Sequence, residues 1–178
     1  MYRRVTLAAI AAVAAVVGIG AAPAVAAPGP TATTGITFQI TAGGLTITAP
    51  ASVNLGNGVS GGTVAGSIGP VQVVDQRGLL VAAWTATVSS TAYTTGGGTP
   101  AETIPNSAAT YTPGLQTAVT GVPVPLPGVA GTLGAARTAF SATAVGSNSV
   151  TWNPNLSIAI PAAAVVGTYT GTVTHSVA

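Results

Sequence analysis

The chain has 178 residues, with four arginines, no lysine, two acidic residues, one histidine and no cysteine. Apart from tyrosine, the charged or titratable side chains beyond residue 26 are Asp75, Arg77, Glu102, Arg137 and His175. With the histidine neutral, their charges sum to zero. This neutrality excludes a nucleic-acid-binding surface, and the scarcity argues against metal binding, a cofactor and general acid–base catalysis, which need clusters of such groups. We therefore expect no enzyme. Stability must come from packing without disulfides.

The N-terminus has the pattern of a secretory leader. Arg3 and Arg4 precede an apolar run over residues 5–22, and the triplet Ala24-Val25-Ala26 offers a small-residue cleavage site. We predict a signal peptide over 1–26, a flexible linker over 27–35 and one domain over 36–178. A retained membrane anchor is the alternative, but the run is short and prolines follow it at once. The expected location is extracellular, with no membrane association after cleavage.

Alternating apolar and polar residues predict β-strands. Residues 36–40 and 45–49 alternate on either side of Gly43-Gly44, which predicts a hairpin. Further strands are expected at 71–75, 80–89, 140–144, 149–152, 156–160 and 168–177. Together they predict an all-β antiparallel sandwich.

Two segments are expected to lie outside the strands. Residues 113–136 carry Pro123, Pro125 and Pro127 and predict a long extended Pro/Gly-rich loop. Residues 162–166 follow Pro161 and end at Gly167, which favours a link between strands over a turn of helix.

Three segments, taken in order, resemble the WxL domain of Gram-positive cell-surface proteins. They are Val73-Val74-Asp75-Gln76-Arg77-Gly78 with Trp84-Thr85-Ala86-Thr87-Val88-Ser89, then Ser149-Val150-Thr151-Trp152 with 156–161, and finally 167–177. The family's two Trp-x-Leu motifs fall on Trp84-Thr85-Ala86 and His175-Ser176-Val177, where Ala86 and Val177 replace leucine and His175 replaces the second tryptophan. The resemblance covers roughly residue 69 to the end, and 94–139 match poorly.

The resemblance implies non-covalent retention at the bacterial wall. The expected partner is peptidoglycan or another wall polymer, and other surface proteins are a further class of partner. The candidate wall-binding residues are Trp84, Trp152 and His175. Each has a structural alternative: both tryptophans have small or apolar neighbours on their strand face, which favours core packing, and a lone histidine is more often structural than a ligand. Asp75 and Arg77 are expected to form a turn with a surface ion pair.

Two enzymatic hypotheses need weighing. Gly58-Val59-Ser60-Gly61-Gly62 has the Gly-x-Ser-x-Gly spelling, and Asp75 and His175 could complete a triad, but the following residues do not predict the helix that a nucleophile elbow requires. Asp75 and Glu102 could form a glycosidase pair. We expect neither of these activities.

Two hypotheses remain. The first is a secreted protein that binds the cell wall. The second is a self-assembling structural or adhesive surface protein without specific wall binding, favoured by zero net charge, threonine-rich strands and the absence of lysine at sheet edges.

Overall fold

The computed structural model describes residues 32–178. Gln39–Ala178 forms one compact unit, and residues 32–38 belong to a second one. The predicted signal peptide over 1–26 and the first part of the predicted linker, 27–31, lie outside the described residues.

The described region is built from short antiparallel strands, which confirms the all-β sandwich. In chain order they are β1 Leu45–Thr48, β2 Thr63–Ser67, β3 Val71–Asp75, β4 Ala82–Ser90, β5 Tyr93–Thr94, β6 Thr103–Ile104, β7 Ala109–Thr112, β8 Gln116–Thr120, β9 Val124–Pro127, β10 Gly131–Thr132, β11 Arg137–Ala144, β12 Asn148–Trp152, β13 Asn155–Ala159 and β14 Val173–Val177. Two single-turn 3₁₀ segments, Pro100–Glu102 and Asn106–Ala108, flank β6. No helix among residues 32–178 is long and apolar enough to cross a membrane.

Three four-stranded sheets surround one core. Sheet 1 has the order β1-β3-β12-β8, sheet 2 has β10-β7-β13-β2, and sheet 3 has β14-β4-β11-β9. Sheets 1 and 3 face each other, because the Phe140 ring of β11 stacks on the Trp152 ring of β12 with centroids 4.9 Å apart. Buried residues from all three sheets belong to the same apolar cluster, so these sheets share one core.

Sheet 2 continues sheet 1 across a line of prolines. The chain passes directly from β2 to β3, from β7 to β8 and from β12 to β13, and each passage leads from one of these two sheets to the other. The three breaks contain Pro70, Pro113 and Pro154 respectively. A proline cannot donate a ladder hydrogen bond, so a break at the same level in three neighbouring strands divides one sheet into two. Pro113 and Pro154 are fully buried at this line.

The predicted N-terminal hairpin is wrong. β1 forms at Leu45–Thr48, but it pairs with β3, and residues 36–40 form no strand. Gly43 and Gly44 do not turn the chain back; their backbones hydrogen-bond to Gln76 and extend the β1–β3 ladder. A Cβ on Gly43 would lie 2.6 Å from the Cβ of Gln76, so this close approach requires glycine.

The segment predicted as a long loop is extended but not unpaired. Residues 113–136 contain β8, β9 and β10, each held in a different sheet. The prediction missed β9 because prolines usually exclude a strand, yet β9 is an edge strand that pairs only with β11. The backbone nitrogens of Pro125 and Pro127 point away from β11, so the β9–β11 ladder needs no N–H donor from them.

The other strand predictions are largely confirmed. β3, β4, β11, β12 and β13 lie where alternation placed them, although Leu80 is 81% exposed and precedes β4 instead of belonging to it. At the C-terminus, regular pairing is limited to Val173–Val177, and Thr170 adds an isolated bridge to Thr94. Residues 162–166 contain only a turn, as expected.

Candidate functional site

Both tryptophans lie in the core. Trp84 is 2% exposed and Trp152 is fully buried, which confirms the core-packing interpretation. The indole N–H of Trp84 donates to Oδ1 of Asn148 at 3.2 Å, and that of Trp152 donates to the Tyr111 hydroxyl at 3.2 Å. Neither ring presents a face to solvent, so neither offers a stacking platform for a sugar in this structure.

His175 lies half-buried on β14 and closes a chain of hydrogen bonds across the three sheets. Its Nε2 lies 3.0 Å from the Tyr111 hydroxyl, which already accepts the Trp152 N–H and is therefore free to donate its own proton to the imidazole. Burial lowers the pKa of His175 to about 4 and raises that of Tyr111 to about 12. Both groups are neutral at pH 7, which suits a structural role for them.

The Asp75–Arg77 pair is not the surface contact that the sequence predicts. Asp75 is fully buried, and its two oxygens accept from Nε and Nη2 of Arg77 at 2.9 and 2.8 Å, while Nη2 also donates to the Ala83 carbonyl at 2.8 Å. The Arg77 side chain holds the pKa of Asp75 below its ordinary value. Because Ala83 belongs to β4, this bidentate pair ties sheet 1 to sheet 3.

In the described residues, each member of the hypothetical enzymatic constellations is hydrogen-bonded to a group outside its constellation. The Ser60 hydroxyl donates to the Ala164 carbonyl at 2.6 Å, while Asp75 is engaged by Arg77 and His175 by Tyr111. Glu102, the other half of the hypothetical glycosidase pair, accepts from the amide and hydroxyl of Thr99 at 3.0 and 2.8 Å. Residues 32–178 also contain no cluster of three or more histidine, cysteine, aspartate or glutamate side chains that could hold a metal.

The outer face of sheet 3 is an array of hydroxyl groups. Because side chains alternate across a strand, burying Trp84, Ala86 and Val88 inward turns Thr85, Thr87 and Ser89 outward. Cross-strand pairing places further hydroxyls beside them, at Thr138, Ser141 and Thr143 on β11 and at Thr174 and Ser176 on β14. This hydroxyl face carries no charged side chain.

A groove lies where this hydroxyl face meets β9. The groove is a depression of about 430 Å³. Thr85, Ser141 and Thr143 line one side of it, and Val124 and Leu126 line the other. Val124 and Leu126 are 71% and 65% exposed. Trp84 and Ala142 also line the groove, and because their side chains are buried they contribute main chain. One wall therefore offers hydroxyl donors and acceptors, and the other offers apolar surface.

A second depression, of about 230 Å³, continues the groove along the same face. It shares Val124 and Thr143 with the first and is otherwise lined by Leu80, Val81, Val122, Ala144 and Val145. The two together form an elongated uncharged channel on the surface. Sequence reasoning missed it because the decisive residues are ordinary threonines and valines, and only the pairing of β9 with β11 brings them together.

Comparison of the chain with family models, with curated proteins and with solved structures finds no match. The resemblance to the WxL domain therefore stays a prediction.

Proposed function

We propose that this protein is a secreted, non-catalytic surface protein that attaches non-covalently to the cell wall, with a wall polymer such as peptidoglycan lying in the groove of sheet 3. The observation that carries the proposal is the amphipathic groove, which has hydroxyls on one wall and exposed apolar side chains on the other. The leader-like N-terminus and the resemblance to the WxL domain agree with this function.

The chemistry of the groove matches an uncharged saccharide. A sugar ring has hydroxyl and amide groups at its edges and C–H groups on its faces. Thr85 and Thr143 can each donate one hydrogen bond and accept others, and the Ser141 hydroxyl, which donates to the Leu126 carbonyl at 3.5 Å, can accept. Val124 and Leu126 can contact C–H groups or the methyl of an acetamido substituent. The volume of about 430 Å³ falls in the range of about 300–1,000 Å³ usual for small-ligand sites.

Attachment of this kind is weak at each site and strong over a polymer. A net hydrogen bond contributes only about 0.5–1.5 kcal/mol, so a few hydroxyls and two apolar contacts give modest affinity for one repeat unit. A polymer can place one repeat unit in the first depression and the next unit in the second, so that the second contact forms within an existing complex at a raised effective concentration. Since no charge lines the groove, binding should depend little on ionic strength.

Co-sedimentation with purified peptidoglycan tests the proposal. Protein lacking residues 1–26 should pellet with the polymer at low and high salt. Thr143→Lys and Leu126→Asp, which place a charge on either wall of the groove, should remain in the supernatant while keeping the wild-type melting temperature. Thr46→Lys is the matched control, because Thr46 is equally exposed but lies on β1 of sheet 1.

Two results would contradict the proposal. Wild-type protein that stays in the supernatant while an established wall binder pellets would remove the function. Groove variants that pellet as well as Thr46→Lys would remove the groove as its site.

A further inference from the structure

An unpaired strand sequence precedes β1. Ile36, Phe38 and Ile40 alternate with Thr37 and Gln39, the pattern of a strand with one buried face, but residues 36–40 pair with nothing in the described chain. The three apolar side chains are 83%, 84% and 83% exposed. Burying them would remove a large apolar area from water, which favours pairing with a partner. We call this five-residue stretch the donor segment.

The strand β8 offers a free edge of the same length. It spans Gln116–Thr120, pairs with β12 on one side and has no strand on its other side among residues 32–178. It contains no proline, so its outward N–H and C=O groups are both present. A row of such groups is a template for a further strand.

The neighbouring edge, β9, cannot serve in the same way. Its residues pair with β11 in the order Val124↔Thr143, Pro125↔Ala142, Leu126↔Ser141 and Pro127↔Phe140. Since proline has no N–H, the hydrogen-bonded positions must be Val124 and Leu126, and the outward positions are the prolines. The free side of β9 therefore presents acceptors but no donors, which leaves β8 as the open edge on this flank.

The inner face of β8 is also uncovered. Val119 pairs with Val150, which is fully buried, so both side chains point toward the core side of sheet 1. Val119 is nevertheless 47% exposed. An added strand with apolar residues on its inner face would cover it.

The donor segment cannot reach β8 of its own molecule. β8 is the fourth strand of sheet 1 counted from β1, so a strand added at its free edge would lie four inter-strand spacings from β1. At about 4.8 Å per spacing this distance is about 19 Å. Only Thr41 and Ala42 are available as a tether, since Gly43 and Gly44 are hydrogen-bonded to Gln76 beside β1. The three Cα–Cα steps from Ile40 to Gly43 span at most about 11 Å, which is less than this distance. A segment that pairs with β8 must come from another copy.

We propose that the donor segment of one copy adds as an antiparallel fifth strand to sheet 1 of a second copy, along β8, with Phe38 opposite Val119. This register places Ile36, Phe38 and Ile40 on the core side and Thr37 and Gln39 on the outer side, opposite Thr120 and Ala118. Strand addition of this kind takes affinity from main-chain hydrogen bonds and specificity from alternate side chains. Because donor and acceptor are different surfaces, repetition produces a chain of copies unless two molecules exchange segments reciprocally.

Disulfide trapping tests the pairing, since the chain has no cysteine of its own. Two single-cysteine variants lacking residues 1–26, Gln39→Cys and Ala118→Cys, are mixed under mild oxidation. The expected product is a mixed disulfide dimer. The control replaces Ala118→Cys with Thr46→Cys, an exposed position on the opposite edge of the same sheet, and should give at least tenfold less product.

The other arms fix the occupant and the register. Adding Phe38→Asp to the Gln39→Cys variant should abolish the mixed dimer. In size-exclusion chromatography the wild type should assemble in a concentration-dependent way, and Phe38→Asp should abolish this assembly. Leu80→Asp, which changes an equally exposed site outside the donor segment, should leave the assembly intact. No mixed dimer, or equal trapping at Thr46→Cys, would overturn the proposal. Preferential trapping of Thr37→Cys by Ala118→Cys would overturn the antiparallel register. Wall attachment is measured separately and is not required for any of these outcomes.

Discussion

The two faces of sheet 3 differ in burial and in composition. The inner face carries Trp84 and the other residues that hold the core together, and His175 of β14 joins it through Tyr111. The outer face carries hydroxyls and the groove, and contributes little to packing. Trp84 and His175, which the sequence indicates as candidate wall-binding residues, therefore lie on the structural face. We propose binding at the outer face, on residues that form no recognisable motif in the sequence.

The largest expected effect comes from the inner face. Trp84→Ala should lower the free energy of unfolding by about 3–5 kcal/mol, because it removes a large buried ring and leaves a cavity. Trp84→Phe keeps most of the packing but leaves Oδ1 of Asn148 without its donor, and should cost less. Chemical denaturation monitored by circular dichroism measures both. A Trp84→Ala protein of unchanged stability would mean that the inner face does not carry the fold.

The ion pair between sheets 1 and 3 comes next. Arg77→Ala leaves the buried Asp75 carboxylate unpaired and should cost about 3 kcal/mol at pH 7. Arg77→Lys should recover only part of this, since lysine cannot make the bidentate contact. The pKa of Asp75 is lowered in the folded protein, so the pair contributes above the ordinary value of 3.8 and its contribution is lost as the pH falls through the lowered value.

Comparing urea denaturation of wild type and Arg77→Ala at pH 7 and near pH 3 checks this prediction. The difference between them should shrink in acid. A difference that is small at pH 7 would show that the pair is as dispensable as an exposed one.

His175 should make the fold acid-sensitive in a separate window. Its pKa falls from 6.5 in the unfolded chain to about 4 in the folded protein, so the unfolded state binds a proton first as the pH drops. Stability should be constant above about pH 6.5 and decline by about 2–3 kcal/mol as the pH falls toward 4. His175→Gln should flatten this decline. Thermal unfolding of the two proteins between pH 7 and pH 4 is the measurement, and parallel curves would contradict the prediction.

The smallest stability effect is expected on the outer face. Thr143→Lys replaces an exposed side chain with another and should change the free energy of unfolding by less than about 0.5 kcal/mol. Its expected effect is on wall attachment alone. A loss of several kcal/mol, measured by the same denaturation experiment, would mean that the outer face is not separable from the core.

Alternation predicted the fold well where strands have one buried face. β3, β4 and β13 follow that rule, and the rule also placed both tryptophans correctly. It failed where pairing is decided at a distance. Residues 36–40 have a strand pattern but no partner among residues 32–178, and β9 has a partner without a strand pattern.

The candidate site was beyond sequence reasoning for the same reason. The groove depends on β9 lying beside β11, and no local signal in either segment specifies that pairing. The spacing of Asp75 and Arg77 predicts a surface turn, and local sequence carries no signal of their burial. Asp75 is buried because it lies on a central strand of sheet 1, which only the strand order reveals.

The most direct test of the two-face account is amide chemical-shift mapping during titration with soluble, uncharged peptidoglycan fragments. The account predicts perturbed amides along β9, β11 and β4 around Val124, Ser141 and Thr85, with sheet 2 unchanged and with no unfolding. The absence of perturbations at saturating fragment, or perturbations confined to sheet 2, would contradict it.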